Sequence, residues 1–219
     1  AFNILKEKGF APDSEFNIKN LVEEKGRIRM VLPKTTNYQI RLVLREGDLL
    51  SELNKEVKHG EFDIAIMGSP RRKRMTNKIS QFLDTSIFFV KNFNPNWNYK
   101  ILLCVDDSRA TKRAVILSTR ISKQFDAEII SLTVSKTSFF GKGYRNAHTW
   151  AERYLKRGGI PFESKLLSGN PVDVFVDEAG EDHIIIMGKA KGNEILKFIF
   201  GSKPIHTAQR SNCPVLMVN

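Results

Sequence analysis

Three short runs of this chain are apolar without a break: Ile101-Leu102-Leu103-Cys104-Val105, Ile184-Ile185-Ile186-Met187 and Val215-Leu216-Met217-Val218. A strand with one face in water alternates polar and apolar side chains, and a strand covered on both faces has no need to. Unbroken runs that alternate with helical patterns therefore specify a parallel sheet between two layers of helices. From residue 100 onward the reading is regular. Strands are expected over 100–105, 128–134, 162–167, 183–187 and 215–218. Ser108 can cap a helix that carries Ala114, Leu117 and Ile121 on one face. A second helix over 144–157 ends at Gly158-Gly159, and a third covers 172–179. A last helical region spans 195–210, with Pro204 read as an interruption near the Gly201-Ser202 turn. The fold class is α/β, with a five-stranded parallel sheet and helices on both faces.

The first half echoes the later part of this unit. A strand is expected over 39–44, and Gly47-Asp48 opens a helix over Leu49, Leu50, Leu53 and Val57. Residues 62–68 then match 182–188, with Ile-Met-Gly identical in both, and residues 87–90 echo 215–218. A repeat spaced by about 120 residues implies tandem domains, because each copy approaches domain size. The first copy is incomplete. Gly68 to Thr85 is 17 positions, against 25 from Gly188 to Cys213. Residues 27–32 also look like a strand, yet 33–38 is too short to hold the helix, strand and helix of a full copy. Residues 2–22 carry no assignment beyond a possible helix. Asn and Pro punctuate 92–98. The expected layout is a partial domain over 1–93, a linker over 94–98 and a complete domain over 99–219.

The stretch from Ile184 to Val218 reads as buried strand, glycine-bearing loop, helix, buried strand, which is the layout of a phosphate cradle at the carboxyl edge of a parallel sheet. Gly188 and Gly192 let backbone approach a phosphate closely. Amides at the opening of the next helix can donate to its oxygens. Gly201 keeps the turn small, and the Ser202 hydroxyl adds a donor. Lys191 cuts both ways: it obstructs that approach, or its ammonium neutralises a phosphate. Asp106, at the end of the first strand, sits at the crevice where such sheets bind ligands, or else caps the following helix beside Asp107 and Ser108.

These motifs resemble the universal stress protein family over 99–219, and weakly over 39–91. The family's first strand ends in Val-Asp-Gly-Ser, and here the residues are Val105-Asp106-Asp107-Ser108. Its nucleotide-binding members carry glycine, two residues, glycine, nine residues, then Gly-Ser or Gly-Thr. Gly188 and Gly201-Ser202 stand at that separation, while Lys191 holds the middle glycine position and Gly192 follows it. Gly169-Asn170-Pro171 and Cys213-Pro214-Val215 also look like family features. The resemblance implies a Rossmann-like, adenine nucleotide alpha hydrolase-like fold that binds ATP and acts as a regulatory or sensing module. It carries Asp106 to the adenine and ribose end and Val134 to the base pocket, and Asp107 is counted with them as cofactor-binding. It implies that last strands pair across a dimer. Residues 87–90 and 215–218 can make that pairing within one chain, as a pseudo-dimer.

Composition narrows the alternatives. The net charge of +11 allows acidic partners without choosing among nucleotide, nucleic acid and anionic membrane. It is spread evenly: 17 basic and 12 acidic residues over 1–96, and 18 and 12 over 97–219. Nucleic acid is not expected, because zinc-ligand spacing, ribonucleoprotein aromatics and a basic helix with interleaved aromatics are all missing. The basic run at 68–74 reads as a solvated loop, an anion contact or an inter-domain salt bridge. No His-Glu-x-x-His, Gly-x-Ser-x-Gly or Walker-type loop appears, so no metal and no dedicated catalysis are expected. His183 reads as structural, and Tyr144, Trp150 and Tyr154 as packed on the sheet. Cys104 and Cys213 lie in strand-like runs and read as buried free thiols. With no apolar run near the roughly 20 residues of a membrane span and no visible leader, the cytoplasm is expected. The rival readings are a soluble regulatory portion of a membrane transporter, binding no nucleotide, and a slow nucleotide hydrolase.

Overall fold

The computed structural model describes residues 21–23, 28–31, 41–44, 47–60, 62–68, 73–189 and 203–219. Contacts divide the chain into two compact units, Ala1–Leu53 and Asn54–Asn219. In the first, β1 (Leu21–Glu23), β2 (Ile28–Val31) and β3 (Arg41–Leu44) form a three-stranded antiparallel sheet in that order. The strand expected over 39–44 was to echo a strand of the parallel sheet; it pairs antiparallel with β2 instead. The short 32–40 connection explains this. It suffices for an antiparallel return, whereas a parallel pair needs a crossover of about a dozen residues or more. Asp48 caps α1 (Leu49–His59), accepting from the Ser51 amide at 3.0 Å. The helix forms as its periodicity predicts, yet none of its residues is buried.

In the second unit, β4 (Ile64–Gly68), α2 (Lys73–Phe82) and β5 (Ser86–Val90) precede the complete copy. The basic run read as a loop over 68–74 is already helical from Lys73. The complete copy follows as β6 (Lys100–Val105), α3 (Arg109–Phe125), β7 (Ile129–Ser135), α4 (Lys142–Arg157), β8 (Phe162–Ser168), α5 (Pro171–Ala179), β9 (His183–Gly188), α6 (Lys203–Arg210) and β10 (Val215–Val218). Each expected strand forms within a residue or two. Pro204 is the second residue of α6, where its missing N–H has no helical partner to lose, and residues 195–202 of the expected helical region lie outside the described residues.

The sheet order is β4-β5-β10-β9-β6-β7-β8. The last five strands are mutually parallel. Strand β5 joins β10 antiparallel, with Val215 opposite Phe89 and Met217 opposite Ile87, and β4 joins β5 in parallel. The two echoing strands thus meet inside one chain and extend the five-stranded sheet to seven. The 94–98 stretch is a turn between β5 and β6; the Asn94 amide donates to the Tyr99 hydroxyl at 2.8 Å, and Phe93 stacks on Tyr99.

Unbroken strands need two covered faces, and both are present in the complete copy. Ile101, Leu103, Val105, Ile186 and Leu216 pack with Ala114, Val115, Ala151 and Leu155 of α3 and α4. Helices α5 and α6 cover the other side, contributing Val172, Phe175, Ile205 and Ala208 to the core. His148 is buried between α4 and the sheet, bonded to Thr133 at 3.0 Å and Ser164 at 3.1 Å. Trp150 and Tyr154 stack on each other and against this core, as expected. His183 Nδ1 donates to the Ala179 carbonyl at 2.8 Å, tying β9 to the end of α5. Both cysteines are free and buried, and burial pushes both thiols up, Cys104 most. Among the described residues, no helix is long and apolar enough to cross a membrane.

Candidate functional site

The helices that follow β6 and β9 leave the sheet on opposite faces, so a crevice opens between the carboxyl ends of these neighbouring strands. Such reversals are where open parallel sheets bind ligands. Here the crevice is a cleft of about 140 Å³. Its apolar half is built by Cys104 and Val105 of β6, Val134 of β7, Pro171 and Phe175 of α5, and Met187 of β9. Its polar half is built by Asp106, Ser108, Gly188 and Lys203. Small-molecule pockets commonly measure roughly 300–1,000 Å³. The described walls therefore bound a smaller space than such a pocket. A lining of apolar side chains together with Asp106, Ser108 and Lys203 is chemically suited to a ligand that has both apolar and polar parts.

Asp106 is half-buried and is both a cleft residue and a local cap. Its Oδ1 accepts from the Ser108 amide at 3.0 Å and from the Thr111 hydroxyl at 2.5 Å. Thr111 Oγ1 in turn accepts from the Asp106 amide at 3.2 Å. Ser108 occupies the N-cap position of α3, but its side chain makes no capping bond; Asp106 holds the turn instead. Asp106 therefore lines the crevice and also holds the turn into α3.

Gly188 has a reason of its own to be glycine. A Cβ there would fall 2.5 Å from the Ala110 carbonyl carbon and 2.7 Å from the Thr111 amide nitrogen. The end of β9 thus touches the first turn of α3. The glycine permits that approach whatever occupies the cleft.

The remaining expected site residues divide. Val134 lines the cleft. Asp107 does not: it lies across the turn, beside α4, where a Cβ on Gly143 would come within 2.9 Å of its Oδ2. Partial burial, with the carboxylates of Asp107 and then Asp106 behind it, pushes the Tyr144 phenol up. Lys191, Gly192, Gly201 and Ser202 lie outside the described residues.

Two lysines were missed. Lys189 is buried, its amide bonded to the Val218 carbonyl at 2.7 Å and its ammonium to the Leu83 carbonyl at 2.5 Å, so it ties β9 to the end of α2. Lys203 lines the cleft from the first turn of α6. Its place directly after Gly201-Ser202 was the available signal. Among the described residues, no group of His, Cys, Asp or Glu is arranged to hold a metal ion.

The family model described as "Universal stress protein family" matches residues 98–219. No curated protein matches the chain. Among solved structures, a universal stress protein from Archaeoglobus fulgidus DSM 4304 superposes with a TM-score of 0.63 at 18% identity, covering 79% of this chain and 66% of that one. A functionally unknown protein from Pseudomonas aeruginosa PAO1 gives a TM-score of 0.55 at 15% identity, covering 79% of this chain and 68% of that one. At these identities the structural likeness concerns the fold alone.

Proposed function

Because this chain belongs to the universal stress protein family, we propose that its complete copy is a regulatory module that binds an adenine nucleotide, ATP in the first instance, in the cleft between β6 and β9. One observation carries the reading. The cleft lies at the topological reversal of the sheet, and its lining combines apolar side chains, Val134 and Met187 among them, with Asp106, Ser108 and Lys203. The base would enter the cleft, and the phosphates would leave toward the N-terminus of α6. The reading includes no catalytic step. Asp106, the carboxylate lining the cleft, has its Oδ1 engaged by its own loop. Phosphate release from ATP should stay at background.

Calorimetric titration with ATP is the test. The wild type should bind saturably. Val134→Phe, which narrows the cleft, should bind at least about tenfold more weakly, with a thermal melt showing that it still folds. Absence of heat in the wild type would contradict the proposal. Gly188 is unsuited to this test, because any side chain there strikes Ala110. That same contact favours the second reading, an interaction module without nucleotide, since it gives the motif glycine a packing role that needs no ligand.

A further inference from the structure

The loop from β7 to α4 presents the most exposed large apolar side chain among the described residues: Phe139 is 75% exposed. Its backbone is fixed where it stands. The Phe139 carbonyl accepts from the Ser135 hydroxyl at 3.1 Å and from the Thr137 hydroxyl at 3.3 Å. The next carbonyl, that of Phe140, accepts from Arg145 Nε at 2.9 Å. The loop is thus tied to β7 on one side and to the first turn of α4 on the other, and a phenyl ring is left in water.

The charge around that ring is one-sided. Between Glu128 and Glu152 the chain carries Lys136, Lys142 and Arg145 and no acidic residue. All three basic residues are exposed. The first turn of α3 stands on the same edge of the sheet and adds Arg109 and Lys112, also exposed; neither first turn contains an acid. The carboxylates nearby are Asp106, bonded to its own turn, and Asp107, which lies against Gly143. Phe125 offers a contrast within the same helix pair. It is 74% exposed at the far end of α3, where Asp126 and Glu128 follow it.

We propose that this edge is a peripheral membrane-docking surface. Phe139 enters the boundary between headgroups and acyl chains, and Lys136, Lys142, Arg145, Arg109 and Lys112 meet anionic phospholipid headgroups. A lone phenyl ring amid cations fits a partner that is anionic at its surface and apolar just beneath, which describes an anionic bilayer. Nucleic acid is anionic too, but the platforms that hold it stack bases on successive rings, and here the neighbouring Phe140 is half-buried. One ring and a few charges give weak, reversible association that salt screens. The proposal is independent of the nucleotide reading.

The test is co-sedimentation of the full chain with vesicles of phosphatidylcholine alone and of phosphatidylcholine with about one-third phosphatidylserine. The wild type should bind the anionic vesicles at least about tenfold more tightly than the neutral ones, and added salt should release it. Phe139→Ser should weaken that binding about tenfold, and Phe139→Trp should keep it. Lys142→Glu should weaken it at least about tenfold, whereas Lys123→Glu, an equal change of net charge beside Phe125, should cost less than about threefold. Phe125→Ser should change nothing. An acid at the first position of α4 suits the helix dipole, so Lys142→Glu should still fold, as a thermal melt would show. A wild type that ignores anionic vesicles would overturn the proposal. So would equal losses in the loop variants and in the Phe125 and Lys123 variants, which would mark only the general attraction of a chain with a net charge of +11. Capture of a single-stranded oligonucleotide in place of vesicles, lost in Phe139→Ser, would overturn it in favour of a nucleic-acid surface.

Discussion

Ile-Met-Gly ends strand β9 and also ends strand β4, and the two copies live in opposite surroundings. In β9 the tripeptide lies between β6 and β10 with helices over both faces; Ile186 is fully buried and Gly188 touches α3. In β4 it lies along β5 with no second neighbour among the described residues; Ile66 is 71% exposed and Gly68 has nothing within 4 Å of a hypothetical Cβ. The sequence is the same and the strand is the same. What differs is the helix after β6, which crosses behind β9 and turns a permissive glycine into an obligatory one. The comparison teaches that the motif lines a cleft only where its neighbours supply the opposite wall. The complete copy has that wall, and the described part of the first copy does not.

The largest expected effect breaks the pair apart. Gly188→Ala should cost about 2–3 kcal/mol, because neither the Ala110 backbone nor its methyl group can move away cheaply. Gly68→Ala should change stability by less than about 0.5 kcal/mol. Urea midpoints of the two variants decide it, and similar losses at both positions would show that the environments are not distinct.

A smaller effect sharpens the comparison from the core side. The Cys104 thiol lies at the base of the cleft, and burial, with Asp106 behind it, holds its titration well above the ordinary value. Folding then keeps the thiol protonated where the unfolded chain would release the proton. Stability from this group is complete below the ordinary thiol value, about pH 8.5, and is lost as pH rises through the interval up to the folded value. Unfolding free energy should fall between pH 8.5 and pH 9.5 in the wild type and fall less in Cys104→Ala. Equal slopes would place the thiol in an ordinary environment.

The five strands of the complete copy were legible because continuous apolar runs state their own burial, and both buried thiols followed from lying in or beside such runs. Loop chemistry was only half legible. Asp106 and Val134 reach the cleft as expected, but Asp107 turns toward α4, since consecutive residues in a tight strand-to-helix turn cannot share a direction. The contact of Gly188 with Ala110 joins residues far apart in the chain and leaves no local trace. Lys203 was missed because it follows the Gly201-Ser202 motif positions without belonging to them. The antiparallel pairing of β2 with β3 was missed because repeat matching aligns strands without assigning their direction.

The most direct test of the nucleotide site is hydrogen exchange measured with and without saturating ATP. Amides of residues 104–111 and 187–189 should slow on binding, while those of 64–68, the same motif without the opposite wall, should not change. Unchanged exchange at 104–111 and 187–189, or equal protection of 64–68, would contradict the account.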